Sequence, residues 1–387
     1  MIGISNLAKA YGGRVLFENV SLQLNSGSRY GLVGANGSGK TTFLKILSGD
    51  EPQTDGTIAI PKSARVGILR QDRFLDDDKI ILDLAMMGEE KVWNALQERS
   101  RIVAGDGDPH RLTELEDILS HYDGYSLEAR STAVLEGLGI PIARHREPLS
   151  SLSGGFKLRV LLAQVLVGGP DALFLDEPTN HLDILSIRWL EKFLASYRGA
   201  ALVISHDQRF LDNVATHILD VDYETILPYT GNYTSFVQQK EATRTQKEGE
   251  IARAEKIIAE KKAFVERFGA KATKAKQAQS RLKQIERIEV VELKSSSRQT
   301  PLFRFTPERP SGKDVLEVAG LSKSYGEKHV LSNMSFTVRR GEKVAVIGPN
   351  GLGKSTLLKI VTGHVAQNAG TVKLGHEVRV GYFAQDH

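Results

Sequence analysis

The 387 residues include no cysteine and only two tryptophans. Without thiols there is no disulfide scaffold, no Cys-based zinc site and no thiol nucleophile. The same absence fits a reducing compartment, and the cytoplasm is the expected location. No apolar run approaches the roughly 18–20 residues needed to cross a bilayer. The longest, near 160–167 and 200–204, have the length of core elements. The opening stretch MIGISNLAKA lacks a basic region followed by an apolar one, so no secretion signal is expected. Excess charge is also scarce, at a net +4, but it is unevenly placed. Residues 238–300 hold 16 Lys/Arg against 9 Asp/Glu, so the rest of the chain is slightly acidic. A local basic surface of that kind suits a polyanion.

What is present is a duplication. Residues 16–49 and 330–363 align at a constant offset of 314: Tyr11 with Tyr325, Asn19 with Asn333, Lys40 with Lys354, Gln71 with Gln385. Two copies of one unit are expected, a whole one at 1–237 with a helical subdomain at about 80–165 and the N-terminal part of another at 314–387. A second unit as long as the first would run about 160 residues beyond His387. The second cassette therefore reads as incomplete, as a fragment or a natural truncation. Between the copies, 238–300 is rich in Ala, Lys, Glu, Gln and Arg, which favour helix. It is expected to form a basic linker of two long helices turning near Gly269.

Gly34-Ala-Asn-Gly-Ser-Gly-Lys40-Thr41 follows an apolar strand-like run and precedes a helix-like one. That strand–loop–helix context marks a phosphate-binding loop. Glycines let successive N–H groups turn inward onto phosphate oxygens, and the following helix adds its positive end. Gly34, Asn36, Gly37, Ser38, Gly39, Lys40, Thr41 and Thr42 are the candidate contacts. Lys40 would neutralise phosphate charge and Thr41 would ligate Mg²⁺. The second copy repeats the pattern with Gly348, Asn350, Gly351, Gly353, Lys354, Ser355 and Thr356. No Asn-Lys-x-Asp guanine signature occurs, so the nucleotide is read as ATP. Tyr11 and Tyr325 each lie 29 residues before the loop lysine. Each could stack on a purine or simply pack at a strand end. Asp176 and Glu177 close an apolar strand: the first can hold the metal shell, the second can accept a proton from water.

These residues resemble the ATP-binding cassette family. Leu152-Ser-Gly-Gly-Phe156 looks like its signature motif, and Asp176-Glu-Pro-Thr-Asn-His-Leu-Asp183 like its Walker B and D-loop. Gln71 falls at its Q-loop and His206 at its switch histidine. The fold implied is α/β, a P-loop NTPase cassette with a helical subdomain. The mechanism implied is a head-to-tail sandwich in which ATP on one loop is capped by the signature of the other cassette. Ser153, Gly154 and Gly155 would then meet the γ-phosphate; by themselves they could equally be an ordinary helix cap. Glu177 would be the base, His206 would orient water, and Gln71 would sense the metal. Thr41, Gln71 and Asp176, with Ser355 and Gln385 in the second copy, are the candidate Mg²⁺ contacts. No second signature follows Gln385, so the first-site ATP would need a signature from another chain, as in a head-to-tail cassette dimer.

Paired cassettes, a basic linker and the phrase EPTNHLD resemble the ABC-F branch, and RYGLVG at 29–34 with SSRQTPLFRF at 296–305 looks closest to its YbiT-like subgroup. That resemblance implies a translation factor on the ribosome whose linker approaches tRNA. Residues 261–283 carry eight Lys/Arg against one Glu, and Lys271, Lys274, Lys276 and Arg281 are the RNA-contact candidates. A solvated helical face would show the same charge. Two other readings stay open. One is the nucleotide-binding subunit of a transporter; the other is a truncated regulatory module without turnover.

Overall fold

The computed structural model describes residues 2–69, 77–268 and 311–384. The chain runs β1 (Ile2–Tyr11), β2 (Arg14–Leu24), β3 (Arg29–Gly34), α1 (Lys40–Leu47), β4 (Asp55–Ala59) and β5 (Val66–Leu69). Five helices follow: α2 (Ile81–Met86), α3 (Glu90–Val103), α4 (Leu112–His121), α5 (Leu127–Gly137) and α6 (Gly154–Val167). The chain then alternates through β6 (Ala172–Asp176), α7 (Ile184–Ala195), β7 (Ala200–Ile204), α8 (Gln208–Val214), β8 (His217–Asp222) and β9 (Thr225–Thr230). The long α9 (Tyr233–Phe268) leads away from this unit. The second copy supplies β10 (Asp314–Tyr325), β11 (Lys328–Arg339), α10 (Lys354–Val361) and β12 (Ala369–Leu374).

The six-stranded sheet has the order β5-β6-β7-β3-β8-β9, parallel except for the β8–β9 hairpin. Its centre is apolar on both faces, as strands covered on both sides must be. Leu173, Leu175, Ala201 and Val203 point into the core shared with the helices α2–α6. Ala172, Phe174, Leu202 and Ile204 point the other way, into a core closed by α1 and the antiparallel sheet β2-β1-β4. The helices α2–α6 lie between residues 81 and 167. No helix among the described residues is long and apolar enough to cross a membrane.

The duplication is visible in the backbone. The sheet β11-β10-β12 repeats β2-β1-β4, and α10 repeats α1. The repeat breaks at 343–348. Its counterpart β3 is paired on both sides, by β7 and β8. Among the described residues, 343–348 pairs with no strand, and Val344 and Ile347 are 61% and 81% exposed.

The linker helix also begins earlier than composition suggested, at Tyr233 rather than Gln238. The Asn232 side-chain carbonyl accepts the Ser235 N–H at 3.0 Å, and the Asp212 carboxylate accepts the Thr234 N–H at 2.7 Å. A capping residue, not a change in composition, sets the start. The expected turn near Gly269 and the second linker helix lie outside the described residues.

Candidate nucleotide site

Ligands of open α/β sheets bind at the carboxyl ends of the strands. Three such ends converge here, from β3, β6 and β7. The loop after β3 curls tightly because its glycines permit it. A Cβ at Gly34 would lie 2.6 Å from the Ser38 hydroxyl and 2.7 Å from the Val221 carbonyl. Gly39 has φ +101° and immediately precedes α1, with no side chain capping the helix. The first-turn N–H groups of α1 therefore have no side-chain acceptor at that cap, the arrangement that favours an anion. Lys40 is buried and its ammonium donates to the Gly34 and Ala35 carbonyls, each at 3.0 Å. The charge is thus held over the loop interior. The buried Ser38 hydroxyl has no hydrogen-bond partner among the described residues. Asn36 completes the loop, and Arg14 donates to the Gly37 carbonyl at 3.1 Å.

Thr41 donates its hydroxyl to the Asp176 carboxylate at 3.0 Å. A hydroxyl and a carboxylate meeting at the edge of a phosphate loop are the hard oxygen donors Mg²⁺ takes, so these residues fit that ion. Strand β6 stops at Asp176. Glu177 is off the strand, in the left-handed region at φ +49°, with its N–H donated to the Ile204 carbonyl at 2.9 Å. Uncommon for a residue with a side chain, this backbone turns the carboxylate toward the end of β7. There the His206 ring nitrogen Nε2 lies 3.3 Å from Oε1, and the His206 N–H donates to Oε2 at 3.3 Å. Burial pushes the Glu177 carboxyl above the usual carboxylate range. The neighbouring His206 charge and N–H pull it partly back, while Asp176 adds to the rise.

Tyr11 and Tyr325 stand outside the cores, each 51% exposed. The Lys9 ammonium sits 4.7 Å from one ring centroid and Lys323 sits 5.1 Å from the other. The Tyr11 hydroxyl donates to Glu51 and lies beside Thr42. An exposed ring at the end of a strand leaves a face available for stacking.

Ser153 occupies the N-cap of α6 in extended geometry, yet its hydroxyl makes no capping bond. Gly154 faces open space, and Gly155 lies close to His181. A residue that motif reading passed over, Arg159, ties this helix to the loop after Glu177. Its buried guanidinium donates to the His181 carbonyl at 3.0 and 2.8 Å and to the Leu138 carbonyl at 2.9 Å. It also stacks on Phe156 at 4.6 Å. The same His181 carbonyl accepts from the Asn350 side-chain amide at 3.4 Å. The second phosphate loop, the 181–183 loop and the signature helix are therefore neighbours.

In the second copy, Lys354 donates to the Gly348 and Pro349 carbonyls at 2.7 and 2.8 Å, the geometry of Lys40. Gly351 and Gly353 have φ +83° and +89°, and Gly348 φ +150°. Ser355 and Thr356 open α10 as Thr41 and Thr42 open α1. No carboxylate meets Ser355 among the described residues. Gln71, Gln385 and the candidates Lys271, Lys274, Lys276 and Arg281 lie outside the described residues.

A phosphate loop, paired carboxylates with a histidine, and a serine-glycine helix start on one α/β sheet define a nucleotide-binding cassette. The ABC transporter family model matches residues 17–180 and again 331–385, and a second model of that description matches 219–305. The chain belongs to the ATP-binding cassette family, in its YbiT-like ABC-F branch. It is 44% identical to the probable ATP-binding protein YbiT of Escherichia coli O157:H7, over all of this chain and 74% of that protein. It is 40% identical to the uncharacterized ABC transporter ATP-binding protein YkpA of Bacillus subtilis, over all of this chain and 72% of that one. The energy-dependent translational throttle protein EttA of Mycobacterium tuberculosis is 36% identical over 99% of this chain and 69% of its own length.

Proposed function

We propose that this chain binds Mg·ATP on the Gly34–Thr42 loop, hydrolyses it, and uses the cycle to act on the ribosome as a translation factor. The observation that carries the hydrolytic part is the meeting of Thr41, Asp176, Glu177 and His206 at one edge of the phosphate loop. Lys40 and the N–H groups of α1 hold the phosphates. Mg²⁺, held by Thr41 and Asp176, would supply positive charge to the phosphoryl oxygens. Glu177 takes a proton from water as the water oxygen bonds to the γ-phosphorus. The bond to the β-phosphate oxygen breaks, leaving ADP and phosphate. His206 steadies the Glu177 carboxylate and the water beside it.

The contact of Asn350 with His181 supports a sandwich in which Ser153, Gly154 and Gly155 face a nucleotide on the Gly348–Thr356 loop. Gln71 and Gln385 would complete the metal shells, and Tyr11 and Tyr325 would stack on the purines. The translational part draws on the name of the similar EttA and on the basic segment 238–300, whose Lys271, Lys274, Lys276 and Arg281 would meet RNA, tRNA foremost. The domain division 1–237, 238–300 and 314–387 belongs to the same reading.

Sedimentation with ribosomes tests it. Association should require ATP and should persist for Glu177→Gln, which binds ATP but turns it over slowly. Equal association with and without ATP would refute the ribosomal reading. Co-purification with a membrane protein would instead favour a transporter subunit, a role that the name of YkpA keeps in view.

A further inference from the structure

Nothing in the hydrolytic scheme uses the carboxylates of Asp220 and Asp222, yet both side chains are fully buried. They stand two residues apart on β8, so both lie on one face of the strand. The Lys240 ammonium, from the second turn of α9, reaches both, at 2.5 Å from Asp220 and 2.7 Å from Asp222. The rings of Tyr223 and Phe236 flank it at 5.3 and 5.8 Å. Further contacts bind the same stretch of helix. Thr234 bonds Asp212 through both its N–H and its hydroxyl, at 2.7 Å each. Phe236 is buried against Tyr229 with ring centroids 5.0 Å apart, and Gln239 donates to the Thr230 carbonyl at 2.9 Å.

Along one edge β8 pairs with β3, the strand that leads into the phosphate loop. In the parallel register Asp220 lies opposite Val33, and Val221 lies opposite Gly34, where the loop begins. The approach is close enough that any side chain at Gly34 would strike the Val221 carbonyl. Asp222 borders a cleft of about 610 Å³ together with Gly37 and Ser38. One strand thus touches the first phosphate loop along one edge and the foot of the linker helix on one face.

We propose that Lys240 is a clamp that fixes α9 to this strand as a rigid lever. The helix then moves as one body with the sheet that holds the first phosphate loop. A buried ion cluster suits this task better than apolar packing, because an ammonium between two carboxylates fixes position and direction, whereas oily contacts can slide. From Lys240 to Phe268 the helix spans about 42 Å at 1.5 Å per residue. A rotation of the foot by about 10° would carry that end about 7 Å, so a small change at the cassette becomes a large one at the basic segment. The inference goes beyond ATP turnover and does not depend on what the linker touches.

The absence of native cysteine makes the test clean. Spin labels are placed at Ala195→Cys on α7 and Lys262→Cys on α9, both exposed positions. Their distance distribution is measured in the full chain, with and without Mg·ATP. The parent should show one narrow distribution that ATP leaves unchanged. Lys240→Met should broaden it at least two-fold. Because Lys240→Met takes the ammonium from two buried carboxylates, the neutral set Lys240→Met, Asp220→Asn and Asp222→Asn is measured beside it and should broaden likewise. Titration with a fluorescent ATP analogue should stay within two-fold of the parent. A neutral set as narrow as the parent would overturn the clamp. So would broadening accompanied by an equal loss of ATP binding or of the thermal transition, since the cluster would then serve the fold and not the helix.

Discussion

Glu177 combines three properties that rarely coincide in a carboxylate: a left-handed backbone, a largely buried side chain and a histidine against it. Burial favours the neutral form, so on acidification this group takes up a proton at a higher pH than an exposed glutamate does. In the proposed hydrolysis Glu177 serves as the base in its ionised form. Turnover should therefore fall on the acid side at a pH above the usual carboxylate range. Glu177→Gln should lower turnover by about 10²–10⁴-fold and remove that acid limb, read from pH–rate profiles. Glycine matters for a different reason. Gly39 holds φ +101°, and a Cβ there would also press on Leu16 at 3.2 Å. Gly39→Ala should cost about 1–2 kcal/mol in urea denaturation, from the backbone alone. Gly154, with open space around it, should accept alanine without loss of stability in the same assay. Motif spacing alone exposes Lys40, Thr41, Asp176 and Glu177, because phosphate chemistry constrains both residue type and separation. It could not expose the positive φ of Glu177, which the neighbouring Ile204 carbonyl and His206 impose.

At the scale of elements, α6 shows what a motif leaves out. Its first residues are legible as a serine and two glycines at a helix start, and its apolar run 160–167 is legible as core. Arg159 in the same helix reads as one more surface charge, and it is instead fully buried. Four oxygen atoms surround its guanidinium, one each from residues 138, 181, 183 and 186, with the His181 carbonyl accepting twice. No spacing rule in the sequence joins those positions; only the packing of α5, α6 and α7 does. Replacing it would take the Arg159 donor from the Leu138 carbonyl and leave the His181 carbonyl only the Asn350 amide. Arg159→Met should cost about 2–4 kcal/mol in chemical denaturation. Arg159→Lys should recover part of that. The Asp183 carboxyl belongs to this cluster. Burial raises it, but the Ser186 N–H, Arg159 and Asn350 outweigh burial and hold it below the usual carboxylate range. Its contribution to stability is present above the ordinary aspartate pKa and is lost as the pH falls through the lowered one.

Across the whole molecule, the two copies share a sequence pattern and differ in their surroundings. Residues 29–34 lie between β7 and β8, whereas 343–348 has no strand partner among the described residues. Hydrogen exchange should separate them: amides of 29–34 should be strongly protected, and those of 343–348 should exchange much faster in the same sample. Equal protection would show that 343–348 is paired. The phosphate loops should differ in the same sense. Thr41 meets Asp176, while no carboxylate meets Ser355 among the described residues. Lys40→Ala should thus remove most tight Mg·ATP binding from this chain and Lys354→Ala little of it, as titration with a fluorescent ATP analogue would show.

By itself the sequence determined the family, the duplication and its offset, and the strand–loop–helix order. Those follow from local rules: glycines where the backbone must turn inward, a lysine and a hydroxyl at fixed distance, apolar runs of the length of buried strands. Only the tertiary structure decided which distant residues meet. It brought Glu177 to His206, Arg159 to His181, Asn350 to that same carbonyl, and Lys240 to Asp220 and Asp222. Each of these is a contact between elements far apart in the chain, created when apolar faces pack and buried polar groups must find partners. Local spacing carries no record of that requirement.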